Sequence, residues 1–257
     1  MILQLDGRSL YYELHGEAGP WVVLLHHGLG STRAWGGQVR ALAGAGFCVL
    51  AYDRWGYGRS SPRPGFPPDF LAREPLDLHS LLRRLGIQSV HLVGHSDGGT
   101  IALLFAARYP QAVQRMVLIA AHIYNEAVGR AALAETLERY RSDPEFRSSL
   151  SAIHGSKAEQ LVQDWLGCWL GAPTGELNLR SQLADIRSPT LVVQGEKDEF
   201  ATQQQARDIA EGIAGSDLWI VPGCSHQPHA ERPREFNQRM IEFLRPSSAD
   251  RSRAQPE

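Results

Sequence analysis

Six short apolar runs recur along the chain, at Trp21–Leu25, Phe47–Tyr52, Ser89–Val93, Val113–Ala120, Pro189–Val193 and Asp217–Val221. They are near-continuous rather than alternating, the pattern of strands buried on both faces. Helical stripes lie between and after them: Leu78, Leu81, Leu82 and Leu85, then Ala206, Ile209, Ala210 and Ile213, then Phe236, Met240, Phe243 and Leu244. Buried strands alternating with one-sided helices confine the chain to an α/β fold, a mostly parallel sheet with helices on both faces. Ahead of this rhythm, Ile2–Leu5 and Ser9–Leu14 flank Asp6-Gly7-Arg8, which predicts an antiparallel hairpin at the start of the sheet.

The rhythm breaks between His122 and Asp185, where Ala, Leu, Glu, Arg and scattered aromatics replace the strand text. Leu133, Leu137 and Tyr140 mark one helix there and Leu161, Trp165, Leu166 and Trp169 another, with breaks at Pro144, Gly155 and Pro173. This predicts a core domain over residues 1–121 and 186–246 with a helical cap inserted at 122–185. Residues 247–257 carry no large apolar side chain and are expected to form a flexible tail.

Balanced charge, 26 Lys and Arg against 28 Asp and Glu, leaves no surplus to draw the chain to nucleic acid or anionic lipid. The longest uncharged stretch, Ala18–Thr32, is broken by glycine, proline and histidine and is too short to span a membrane. The three cysteines, Cys48, Cys168 and Cys224, are odd in number and widely spaced, which argues for a reducing compartment. A soluble, cytoplasmic protein is expected.

The chemistry concentrates at strand ends. Gly94-His95-Ser96-Asp97-Gly98-Gly99 follows the run at 89–93 and opens a helical stretch, so Gly-x-Ser-x-Gly stands in a strand-turn-helix context. The glycines suit a sharp turn whose crowded backbone leaves no room for Cβ atoms and which lifts the Ser96 hydroxyl above the strand ends. A serine nucleophile needs a base, and the base an orienting acid. Candidates lie just past two later strands, Asp198 in Gly195-Glu196-Lys197-Asp198 with Glu196 and Glu199 as rivals, and His226 in Gly223-Cys224-Ser225-His226 with His229 as rival. Strand C-termini are where open parallel sheets place their sites.

These motifs resemble the α/β-hydrolase superfamily along nearly the whole chain. The resemblance implies Ser96, Asp198 and His226 as nucleophile, acid and base, with Gly-x-x-Asp spacing selecting Asp198. His27-Gly28-Leu29-Gly30 resembles the family's oxyanion loop, which implies the backbone N–H groups of Leu29 and Asp97 as oxyanion donors, with His27 bracing the backbone. Asp53-Arg54-Trp55-Gly56-Tyr57-Gly58-Arg59-Ser60 resembles a structural loop of the family, and Glu231-Arg232-Pro233 with Phe236 its terminal helix start. Ser225 departs from the glycine that usually precedes the base. Ser96-Asp97-Gly98-Gly99, Gly195-Glu196-Lys197-Asp198, Ala120–Asn125 and the stretch from Gly215 to Asn237 further resemble the biphenyl hydrolase-like (valacyclovir hydrolase) group, in which the acid after the nucleophile recognises the α-amino group of an amino-acid ester.

Asp97 therefore has two readings. An anion about 5 Å from a developing oxyanion repels it by roughly 3 kcal/mol at an effective dielectric of 20, so Asp97 must turn away or be compensated. An arginine or the helix N-terminus compensates it in one reading, a substrate ammonium in the other. Trp165 and Trp169 of the insertion, with packing as the alternative, and His229, with a surface position as the alternative, are further candidates for lining the substrate pocket. His95 is expected in the core, and His15, His79, His91, His122 and His154 have no supporting context. Cys224, His226 and His229 lack the paired ligands of a metal site, so neither metal nor other cofactor is expected. The expected activity is hydrolysis of a small-molecule ester through an acyl-enzyme. A lactonase, carbon–carbon bond hydrolase or perhydrolase on the same residues, and a non-catalytic ligand-binding protein, stay open.

Overall fold

The computed structural model describes residues 1–171 and 177–245. The expected break at Pro173 and the expected tail at 247–257 lie outside the described residues. Strands β1 (Ile2–Leu5) and β2 (Arg8–His15) form the hairpin, with Asp6 at φ 50° and Gly7 at φ 79° in the turn. Two successive positive φ values match the right-handed twist of the flanking strands, which is why Asp-Gly serves there.

Strands β3 (Trp21–Leu25), β4 (Cys48–Tyr52), β5 (Val90–His95), β6 (Val113–Ile119), β7 (Thr190–Gly195) and β8 (Ser216–Val221) complete an eight-stranded sheet in the order β1-β2-β4-β3-β5-β6-β7-β8. The β1–β2 and β2–β4 pairings are antiparallel and all others parallel. The strand order reverses around β3, so β5 leaves the centre of the sheet with open space beyond its C-terminal end.

Successive residues feed two separate cores. On β3, Val23 and Leu25 enter one core while Val22 and Leu24 enter the other. Helices α1 (Gly36–Gly44) and, at the end of the chain, α9 (Pro233–Leu244) cover one face through Val39, Leu42, Phe236, Met240 and Leu244. Helices α2 (Phe70–Arg84), α3 (Asp97–Arg108) and α7 (Gln203–Gly212) cover the other through Leu78, Leu81, Phe105 and Ile209. Each fully buried Leu or Phe contributes about 1.5–3 kcal/mol, so both faces are strongly held.

Between β6 and β7 the described residues hold helices α4 (Ala127–Ser142), α5 (Pro144–His154) and α6 (Ala158–Leu170), without a strand. Asp143 caps α5 by accepting from the amides of Glu145 and Phe146, with Pro144 at the first helical position. Leu133, Leu150, Leu161 and Trp165 join the core on the α2/α3 face, so these helices pack on the main body. A short helix α8 (Pro228–Glu231) follows β8. No helix among the described residues is long and apolar enough to cross a membrane.

Candidate active site

Ser96 stands between β5 and α3 at φ 55°, ψ −121°, a conformation costing a non-glycine residue about 1–3 kcal/mol. Surrounding bonds enforce it: the Ser96 N–H donates to Ile119 O at 2.8 Å, and the Ser96 carbonyl accepts from the amides of Gly99 at 2.8 Å and Thr100 at 3.1 Å. A Cβ on Gly98 would stand 2.0 Å from the Leu25 carbonyl oxygen, so only glycine lets the elbow close on β3. The same requirement recurs across the sheet, where a Cβ on Gly195 would meet Ser225 O at 1.9 Å. That contact brings the turns after β7 and β8 together, and Asp198 to His226.

His226 Nδ1 lies 2.9 and 3.0 Å from the two carboxylate oxygens of Asp198. Gln194 Nε2 and the amides of Phe200 and Ala201 also donate to that carboxylate. It is thus fixed as an acceptor facing Nδ1, and the second ring nitrogen is left for the reacting atoms. The rival acids are placed elsewhere: Glu196 accepts from the amide of Gly223, and Glu199 lines the cavity. Ser225, the departure from the family pattern, keeps a negative φ and donates its N–H to Glu231, so a Cβ is accommodated there.

The loop after β3 is tied down from below. Arg54 N–H donates to His26 Nε2 at 3.1 Å, which leaves the proton on His26 Nδ1, 2.8 Å from His27 O. The bracing imidazole is therefore His26, where the sequence reading expected His27. Burial and the Arg54 charge hold His26 far below the ordinary histidine range, so it stays neutral. Neither the Leu29 nor the Asp97 amide donates to a protein acceptor among the described residues. Both residues line the same cavity as Ser96.

Asp97 is 1% exposed, and its Oδ2 accepts from Trp165 Nε1 at 2.8 Å and lies 3.6 Å from Arg54 Nη2. Arg54 is itself fully buried, donates to His27 O and packs on the Tyr57 ring at 4.2 Å. Of the compensations considered from sequence, the arginine is present inside the protein. Burial raises the Asp97 carboxyl above its ordinary range, opposed by Arg54 and Trp165, while its neighbours hold Arg54 protonated.

The cavity above Ser96 measures about 510 Å³, and Trp165 and Trp169 both line it, with Tyr124, Phe200 and Gln205. His229 does not: it is 2% exposed, 4.6 Å from the His95 ring and 5.1 Å from the Trp35 ring between centroids, and lies outside the cavity lining. Its place on the buried side of α8 makes it a packing residue, which corrects the sequence expectation.

Comparison with known proteins agrees with this geometry. The sequence profile of the family described as "alpha/beta hydrolase fold" matches residues 20–163, more than half of the chain. The chain belongs to the α/β-hydrolase family. The serine hydrolase BPHL of Homo sapiens is 31% identical over 246 residues, covering 93% of this chain and 84% of that protein. A 2-hydroxy-6-oxononadienedioate/2-hydroxy-6-oxononatrienedioate hydrolase of Klebsiella pneumoniae is 28% identical, covering 93% and 92%. Among solved structures, the enol-lactonase of Burkholderia xenovorans superposes with a TM-score of 0.78 at 25% identity, covering 95% and 99%.

Two histidines without sequence context reach this family site. His154, the last residue of α5, accepts the Gly58 N–H at 2.9 Å on Nδ1 and donates from Nε2 to Leu29 O at 3.1 Å, which ties the inserted helices to the loop after β3. His122, just past β6, places Nε2 3.3 Å from Ser96 Oγ. Neither sits in a spacing motif. For His122, its position directly after a buried strand on the same sheet edge was the available signal.

Proposed function

We propose that this protein is a serine hydrolase of the carboxylesterase type that cleaves small-molecule esters through an acyl-enzyme on Ser96. What carries the reading is the meeting at one cavity of Ser96 on its strained elbow, the Asp198-bound imidazole of His226 and two unengaged amides. His226 takes the hydroxyl proton as Ser96 Oγ attacks the ester carbonyl, and Asp198 orients the ring and stabilises its charged form. The Leu29 and Asp97 amides donate to the oxyanion. His226 then protonates the departing alcohol. Water attacks the acyl-enzyme, giving its proton to His226, and the acid leaves with Ser96 restored. No step requires a cofactor or a macromolecular partner. In this reading residues 122–185 act as a cap that shapes the pocket, and the unpaired cysteines suit the cytoplasm.

Asp97 at the cavity wall favours one finer reading, a preference for α-amino-acid esters. Arg54 already compensates much of its charge, so the gain from a substrate ammonium is modest. The similar enol-lactonase makes cyclic esters a further class to assay. The test is steady-state hydrolysis of a matched pair of activated esters, one neutral acyl and one α-aminoacyl, with Ser96→Ala as control. We expect Ser96→Ala to lower turnover by at least about 10⁴-fold without changing the unfolding temperature. Activity retained in that variant sinks the serine mechanism. Equal turnover of both esters removes the ammonium reading and leaves a general carboxylesterase.

A further inference from the structure

Ser96 Oγ has a hydrogen-bond partner that the acyl-enzyme mechanism does not use. The hydroxyl lies 3.3 Å from His122 Nε2, and His226 is not among its hydrogen-bond partners in the described residues. The His122 and His226 rings stand side by side at the nucleophile, with centroids 5.9 Å apart and planes 22° from parallel. A hydroxyl has one proton to donate, so two imidazoles beside it compete for it.

His122 is held in place by its backbone. Its N–H donates to Thr100 Oγ1 at 3.2 Å, and the Thr100 hydroxyl donates to His122 O at 2.7 Å. The next two amides, of Ile123 and Tyr124, donate to Gln205 Oε1 at 2.7 and 3.3 Å. Helices α3 and α7 thereby clamp the chain leaving β6, and the imidazole points at the elbow with Trp169 edge-on to it at 6.2 Å.

His122 is poorly built to be a second base. No carboxylate bonds its ring among the described residues, since the Asp198 oxygens face His226. Burial and the neighbouring His226 push it down to about 4, so near neutral pH it is an uncharged imidazole. A fixed, neutral imidazole can still hold the hydroxyl.

We propose that His122 is a positioning residue that holds the Ser96 hydroxyl turned away from His226 in the free enzyme and releases it when substrate occupies the cavity. The proposal rests on the serine-hydrolase reading of this site. The free enzyme then exists mostly in a resting arrangement, and the fraction ready to attack depends on how well His122 competes with His226.

The experiment measures the second-order rate at which a compact alkyl fluorophosphonate labels Ser96 in the wild-type protein, His122→Ala, His122→Gln and Ser96→Ala, each checked for a native unfolding transition. His122→Ala should label about fivefold faster, the population shift that one net hydrogen bond sustains, and His122→Gln should restore the wild-type rate. A purely structural residue would instead slow labelling or leave it unchanged, and either outcome overturns the proposal. Wild-type protein that is not labelled at Ser96 at all overturns the serine-hydrolase reading instead, which keeps the two failures distinct. A crystal structure of the unliganded protein is independent of any variant's folding. Ser96 Oγ within hydrogen-bond reach of His122 Nε2 supports the proposal, and Oγ bonded to His226 with His122 beyond 4 Å overturns it.

Discussion

At the ends of β5 and β7, Gly98 and Gly195 press backbone against backbone, so that a Cβ would overlap a carbonyl oxygen at about 2 Å. In helices α4–α6, which cover those ends, the contacts to the elbow and the loop after β3 are side-chain contacts instead: Trp165 to Asp97, His154 to Leu29 O, and Arg33 to Ala152 O. Gly167 in α6 faces open space. Backbone contacts admit one residue type and leave a motif in the sequence. Side-chain contacts are satisfied by many combinations, so the covering helices shape the pocket without announcing how.

Acid is the largest perturbation expected to divide the two regions. Burial lowers His27 to about 3 and His154 and His229 to about 4, and holds His26 and His95 well below the ordinary histidine range. Between about pH 6.5 and 4 the folded state binds fewer protons than the unfolded chain, so stability falls as pH falls through that window. Each imidazole kept neutral removes about 2 kcal/mol by pH 5. Denaturant midpoints at pH 7 and pH 5 should differ strongly. His154→Gln, in the covering helices, should shrink that difference by one such increment if both regions unfold together, and leave it unchanged if the covering helices unfold separately.

Gly98→Ala comes next. Its methyl group meets backbone that cannot rotate aside, so a loss of about 3 kcal/mol in stability together with most of the activity is expected. Full activity in this variant would mean that the elbow is not held by close packing. Trp165→Phe keeps the ring in the covering layer but removes the donor to Asp97. Leaving that buried carboxylate short of a partner should cost about 1–3 kcal/mol by thermal unfolding, with a smaller effect on turnover than the elbow variant. The smallest effect, and of opposite sign, belongs to Gly167→Ala. An open glycine inside a helix should stabilise by about 0.5–1 kcal/mol when replaced, with unchanged kinetics.

The candidate site shows the same division in what could be read beforehand. Ser96, Asp198 and His226 stand in short strand-end motifs, and the sheet order places the ends of β7 and β8 side by side with β6 between them and β5. Trp165 and Trp169 could be named as pocket candidates from their place in the inserted helices, but only the packing of those helices brings them to the cavity. His229 was named for its nearness in sequence to His226, and the α8 turn carries it behind the site into the core. His122 was passed over although it lies in the resembling segment Ala120–Asn125, because nothing local shows that Thr100 and Gln205, distant in sequence, aim it at the nucleophile.

By itself the sequence determined the parallel sheet, the hairpin at its edge, the glycine-bounded elbow and the position of Ser96, Asp198 and His226 just past strand ends. All of these follow from local periodicity or from steric rules on a few consecutive residues. The tertiary structure alone decided the compensation of Asp97 by Arg54 and Trp165, the tie of His154 to the loop after β3, the withdrawal of His229 and the approach of His122 to Ser96. Each depends on distances between segments far apart in the chain, and hydrogen bonds and ion pairs act only over the last few ångströms, after packing has brought those segments together.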